Sequence, residues 1–292
     1  MGKEYPKWLV GCGVGCLAVV VLVLVLGVGA FIAARRMAGG FSEAGKAVSR
    51  VEEEYGSPEA YTPEPDGRIP AERVRAFLAV RSRTVSARSR LGTSVEELES
   101  LTDSTQPGRR QGFREVIKII RTGAGAIPKI AEFQRHRADA LIEHRMGLGE
   151  YQYIYSLAYY SFLKKDPGDG PKRIHTGSDN NVTLNDHTSP EEIRDSRHTQ
   201  MSRRVRRLFV RFLENAASQA KQAKSAEKSS WIQAVDKELS ALDLHRDRIP
   251  WEEGLPPEID ESLRPFREEL DRSYDPLMNP VEFIEWDQQH RR

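Results

Sequence analysis

Cysteine is nearly absent from the chain: 292 residues hold two, Cys12 and Cys16, and none lies beyond position 16. That excludes a disulfide framework and a thiolate metal site from the bulk of the sequence. An excess of either charge is missing too, with 44 Lys and Arg against 43 Asp and Glu. From Met37 onward the balance is 40 against 42, which is not the footprint of a general nucleic-acid binder. Compact catalytic patterns are also missing. There is no Gly-x-Ser-x-Gly and no His-Glu-x-x-His. The basic loop Gly168-Asp-Gly170-Pro-Lys172-Arg173 lacks the Gly-Lys-Ser/Thr of a phosphate loop. No cofactor-binding pattern and no repeat of fixed period appears.

One stretch lacks charge, amide, Ser and Thr altogether: the 27 residues from Trp8 to Ala34, bracketed by Lys7 and Arg35-Arg36. As a helix rising about 1.5 Å per residue it would reach roughly 40 Å, more than a ~30 Å hydrocarbon core. The apolar region of a signal peptide is shorter, about 7–15 residues. Residues 1–36 are therefore expected to form a single transmembrane anchor in a lipid bilayer. Val28-Gly29-Ala30 and Ile32-Ala33-Ala34 resemble cleavage sites, so processing is the alternative. Leu9-Val10-Gly11-Cys12 has the form of a lipobox but precedes the apolar region instead of following it, which argues against lipidation. Gly11 and Gly15 share one helix face and would let a second helix approach closely, a possible homodimer contact. Lys3 and Lys7 before the run nearly balance Arg35, Arg36, Lys46 and Arg50 after it, so the positive-inside rule decides little. The usual behaviour of a signal anchor points to an inner-membrane protein with its C-terminal domain in the periplasm or outside the cell.

The remainder reads as helix after helix. Residues 37–69 hold a short helix from Ser42 to about Gly56 and a linker with Pro58, Pro63 and Pro65. Residues 70–292 are expected to form an all-α domain, a multi-helix bundle or array. Pro70 suits the first turn of a helix stopping at Gly92, and Ser94 with Glu97 suggests a capping box for the next. Phe113, Val116, Ile117 and Ile120 mark a helix expected to break at Gly123-Ala-Gly125 and Pro128, with another from Pro128 to Met146. The stretch Glu150–Lys165, apolar on most sides, predicts a central buried helix. Residues 166–189 are expected to be a long loop, functional or disordered. Ser189-Pro190-Glu191-Glu192 is a strong helix start for a helix running to about Lys228, followed by one from Ser230 to His245. The tail predicts a helix from Pro256-Pro257 to Arg272 and a last turn from Pro280 to Trp286. No strand pattern stands out.

Several residue sets invite a functional reading. On a helical wheel Leu208, Phe209, Phe212 and Leu213 face one way with Val205, while Arg203, Arg204, Arg206, Arg207 and Arg211 face the other. From Arg194 to Lys228 ten Lys and Arg meet three Asp and Glu; from Trp251 to Arg292 twelve acids meet five bases. The two stretches are expected to neutralise each other within the fold; contact with anionic lipid or with an acidic protein partner are the alternatives. Glu132, His136, Asp139 and Glu143 share one helix face and are metal-binding types, but no second helix supplies a matching Glu-x-x-His, so a solvated face is expected. Thr62 to Ile69 has the Asp-Gly-x-Ile centre of a calcium loop, but Thr62 and Arg73 stand where the first and twelfth ligands belong. Asn181-Val-Thr183 is a glycosylation sequon.

Two segments, Pro65 to Arg81 and Ala140 to Tyr155, resemble stretches of uncharacterised bacterial envelope proteins with an N-terminal anchor or lipid attachment and a helical exported domain. The resemblance implies location and fold, and it carries no activity. The sequence as a whole points to a single-pass envelope protein whose all-α domain serves as a scaffold or protein-interaction module. A membrane-anchored enzyme with a cleft beside residues 166–189 and a lipid-contacting adaptor acting through residues 203–213 are the other readings.

Overall fold

The computed structural model describes residues 43–103, 113–172, 174–176, 182–184, 189–222 and 230–283. The apolar run from Trp8 to Ala34, the Gly11/Gly15 face and Asn181 of the sequon lie outside them. No helix among the described residues is long and apolar enough to cross a membrane.

The described part is all-α, with one small hairpin. Helix α1 spans residues 43–55, and a 3-10 turn follows at Pro58–Ala60. Then come α2 (Ala71–Arg83), α3 (Val85–Asp103), α4 (Phe113–Glu143) and α5 (Leu148–Tyr155). The π-helical segment Ser156–Phe162 extends α5. After the hairpin come α6 (Pro190–Gln222), α7 (Ser230–Leu244), α8 (Pro257–Leu263) and α9 (Arg267–Ser273). The last element is the one-turn α10 (Asn279–Glu282).

The aromatic helix lies at the centre, as its pattern predicts. Every residue from Tyr151 to Phe162 is buried. Phe77 of α2 lies against Tyr151 on one side, and Phe209 of α6 stacks on Tyr153, with ring centres 5.3 Å apart, on another. The polypeptide before α2 lies on this body too. Tyr61 packs between Tyr153 and Phe212, and the Asn215 amide donates to the Glu59 and Tyr61 carbonyls at 2.9 Å each. Gly67 turns the chain with φ +74 against the Trp231 ring, where a Cβ would come within 2.4 Å of the ring carbons.

Four helix boundaries differ from expectation. The first break comes at Thr84, whose hydroxyl donates to the Val80 and Arg81 carbonyls, and α3 then runs through Gly92 and Ser94. Ser94 donates to the Arg90 carbonyl in mid-helix instead of capping. Ala87, Leu91 and Val95 form a buried row there, and that packing outweighs glycine's cost of about 1 kcal/mol in a helix interior. Helix α4 likewise continues through Gly123, Gly125 and Pro128, held along α3. It ends one turn early, at Glu143, where Arg145 takes φ +51. The tail helix from Pro257 is broken into α8, a 3-10 turn at Arg264–Phe266 and α9.

Residues 166–189 also hold an unforeseen hairpin. Strand β1 (Ile174–Thr176) pairs antiparallel with β2 (Val182–Leu184), Ile174 opposite Leu184. Three residues per strand are too few for alternation to register as a pattern. The helix start after it forms as read. Ser189 and Glu192 make the reciprocal capping box, Glu192 N–H to Ser189 Oγ at 3.2 Å and Ser189 N–H to Glu192 Oε2 at 3.0 Å.

Candidate functional site

The basic face of α6 is split by its surroundings. Met201, Val205, Phe209, Phe212 and Leu213 are locked in the core, so this apolar stripe is not available to a bilayer. Arg203, Arg207 and Arg211, four residues apart, form an exposed outward row about 12 Å long. Arg203 pairs with Asp247 at 2.6 Å and Arg211 with Glu214 at 2.9 Å. These two arginines are 59% and 64% exposed, and such surface pairs contribute about 0–1 kcal/mol and exchange readily. Arg204 and Arg206 are half-buried, and Arg206 donates to the Leu242 carbonyl, tying α6 to α7. Among the described residues of the acidic tail, Glu261, Asp271, Asp275 and Glu282 meet Arg68, Lys165, Arg88 and the Arg81–Arg137 pair. Folding brings α2, α3 and α4 to the tail, a pairing that no local charge count could reveal.

A second constellation closes the start of the 166–189 stretch. His198 Nδ1 lies 2.8 Å from Asp166 Oδ1, which also accepts from the Gly168 N–H at 2.7 Å. Arg194 reaches Asp166 Oδ2 at 2.6 Å, and the Tyr274 hydroxyl donates to Asp169 at 3.2 Å. Burial works to raise the Asp166 pKa, but the His198 and Gly168 hydrogen bonds and the nearby positive charges outweigh it and hold it below the usual value. Arg197, buried below, donates to the carbonyls of Gly168 and Pro171 and fixes the turn. The imidazole is oriented by a carboxylate, with its side chain 43% exposed, an arrangement suited to moving a proton.

The third constellation is buried. Glu282 accepts from Arg81, from Arg137 at 3.1 Å and from the Tyr151 hydroxyl at 3.1 Å, and all four side chains are almost wholly shielded from water. Arg88 lies beside them; burial first, and then the Arg81 charge, lower its guanidinium pKa. The Arg81 guanidinium also lies over the rings of Tyr155 and Tyr159, at 5.3 and 5.4 Å. Here the π-helix has a function of its own. Tyr155 and Tyr160 are five residues apart, which in an α-helix would place them about 140° apart. The wider π turn brings both hydroxyls to Asn279 Oδ1, at 2.9 and 2.7 Å.

Glu132, His136, Asp139 and Glu143 form an ion-pair seam. Arg90 meets Glu132, Arg50 meets Asp139 and Arg83 meets Glu143, so this α4 face joins α1, α2 and α3 through surface charge. Among the described residues no group of three or more His, Cys, Asp or Glu is placed to hold a metal ion. A shallow groove of about 350 Å³ lies on α9 and the turn before it, lined by Arg264, Pro265, Arg267, Glu268, Glu269 and Arg272.

No protein-family model, curated protein or solved structure matches the chain. The molecule is thus defined by its own geometry, an all-α body with a phenol- and arginine-rich centre. Sequence reasoning found the arginine row but missed the Asp166–His198 pair and the Glu282 cluster. Their members lie 32 and up to 201 positions apart, so spacing carried no signal for them.

Proposed function

We propose that the chain is a membrane-tethered helical docking module that engages an acidic protein partner through Arg203, Arg207 and Arg211. The observation that carries this reading is the outward arginine row on a helix whose opposite face is fixed in the core. That gives a rigid rail of positive charge along which the ion pairs of Arg203 and Arg211 are weak and exchangeable. The uncharged run from Trp8 to Ala34 supplies the tether. Its signal-anchor character supports an inner-membrane position with the helical body on the periplasmic side, and Gly11 and Gly15 would serve a second copy in the bilayer. Because the apolar stripe of α6 is internal, any contact of this row with lipid would be electrostatic alone.

Photo-crosslinking from position 207 in intact cells tests the reading. A protein adduct that disappears in R203E/R211E supports docking; lipid adducts alone, or an adduct unchanged by charge reversal, overturn it. Protease cleavage of a C-terminal tag in intact spheroplasts tests the orientation, and protection until lysis would reverse it.

The Asp166–His198 pair favours a second reading, an enzyme working beside the hairpin with His198 as the proton-transfer group. On that reading H198A abolishes turnover of a hydrolysable substrate panel while leaving the melting temperature unchanged.

A further inference from the structure

The carboxylates that face Arg81, Arg88 and Arg137 come from one short stretch of chain. Glu282 meets Arg81 and Arg137, and Asp275 lies 3.7 Å from Arg88. The rest of that stretch is held in the same manner, by side chains of other elements. Arg81 and Arg88 donate to the Ser273 carbonyl at 2.6 and 3.2 Å, Gln134 to that of Val281 at 2.9 Å and Arg137 to that of Glu282 at 2.7 Å. Asn279 accepts from two tyrosines and donates to the Pro167 carbonyl at 3.0 Å. Met278 enters the apolar cluster of Leu91, Val95 and Phe133, and Phe283 lies against Tyr155 and Tyr160. Internally the stretch has only the 3-10 turn Pro276–Met278 and the single turn of α10. Two consecutive extended residues precede it, Tyr274 (φ −68, ψ 138) and Asp275 (φ −138, ψ 103).

This is how a groove holds a peptide: carbonyls along the backbone are bound, and selected side chains are taken into pockets. Lifting the occupant would let water into the groove but leave three guanidiniums without their carboxylates, so the groove favours being refilled. It therefore requires an acidic segment that presents an amide and, three residues later, a carboxylate. We propose that residues 274–283 are a detachable latch and that the groove beneath it accepts the same latch from a second copy of this chain. The chemistry of the occupant is met residue by residue by an identical segment, and the extended pair at 274–275 is the hinge about which it would cross. Exchange between copies replaces each contact with its equivalent, so only association entropy opposes it. This inference is independent of the arginine row.

Charge-swapped full-length chains in detergent micelles test it. One copy carries E282R, which spoils its latch; the other carries R81E/R137E, which spoils its groove. Each alone loses its own closure, but the groove of the first still fits the latch of the second. The expected result is that mixing gives a heterodimer by light scattering and a higher melting temperature than either parent. A mixture that remains the sum of its parents overturns second-copy exchange. If neither variant folds alone, hydrogen exchange of the wild-type chain decides. Amides of residues 276–283 should exchange about 100-fold faster than those of α5, through a local opening, and wild-type chains held at high concentration should yield a dimer by light scattering that persists for a time after dilution. Exchange of both at one common rate, or no such dimer at high concentration, overturns the proposal.

Discussion

Glu282 carries its charge in a place without water, between two guanidiniums supplied by α2 and α4. Burial of ions gains little net stability over a well-packed apolar core, but removing one partner leaves the others uncompensated. E282Q retains the shape and one acceptor yet leaves Arg81 and Arg137 without a carboxylate, so it should lower unfolding stability by about 3–5 kcal/mol, read from urea titration. A loss under about 1 kcal/mol would mean that the tyrosines around Arg81 suffice for the cluster. Gly67 is constrained by geometry, not charge. A methyl there meets both a left-handed backbone and the Trp231 ring, so G67A should cost about 2 kcal/mol or more, accompanied by a shift in tryptophan fluorescence.

At the scale of elements, the π segment and the capping box set two different kinds of precision. Y160F removes a buried hydroxyl from Asn279 while leaving Tyr155 in place, and should destabilise by about 1 kcal/mol. S189A should cost about 1 kcal/mol as well, but through α6 alone, since its bonds are local. That contrast marks what was legible beforehand. The capping box, the buried aromatic helix and the amphipathic division of α6 are written in neighbouring residues, and each appears where the sequence places it. The helix through Gly92, Ser94, Gly125 and Pro128 was hidden because α3 and α4 support each other, and local breakers compete with packing that only the fold supplies. The π turn was hidden for a related reason: its benefit is the meeting of Tyr155 and Tyr160 at Asn279, more than a hundred positions away. Of the candidate sites, the arginine row on α6 and the Glu132–Glu143 face on α4 depend on spacing within one helix, and those are the ones that could be read.

Across the whole molecule, tyrosine is the residue that binds centre to periphery, and its ionisation gives a global test. Burial raises the phenol pKa of Tyr61, Tyr151, Tyr153, Tyr155, Tyr160 and Tyr274, with neighbouring acidic groups adding to it at all but Tyr153. The neutral phenol is thus favoured in the folded state. Its contribution to stability is fully present below the unfolded value of about 10 and is lost as pH rises toward the folded values. Asp166 has the opposite sense at the acid end. Its depressed pKa stabilises the fold above the ordinary carboxylate range, and that contribution disappears as pH falls through the folded value. Two outcomes follow for an alkaline titration monitored at once by phenolate absorbance and far-ultraviolet circular dichroism. If the tyrosines are core members, most of the absorbance should appear in a single steep step together with loss of helix, above pH 10. A gradual rise centred near pH 10 with helix content intact would mean that the phenols are reached by solvent one at a time. The centre around Arg81 and Glu282 would then be open to water in the folded protein. The steep step is expected because Tyr155 touches both Tyr151 and Tyr160, Tyr151 and Tyr155 meet Arg81, and Tyr61 and Tyr153 are packed together against Phe212, so no phenol of either group loses its proton without opening the core around it.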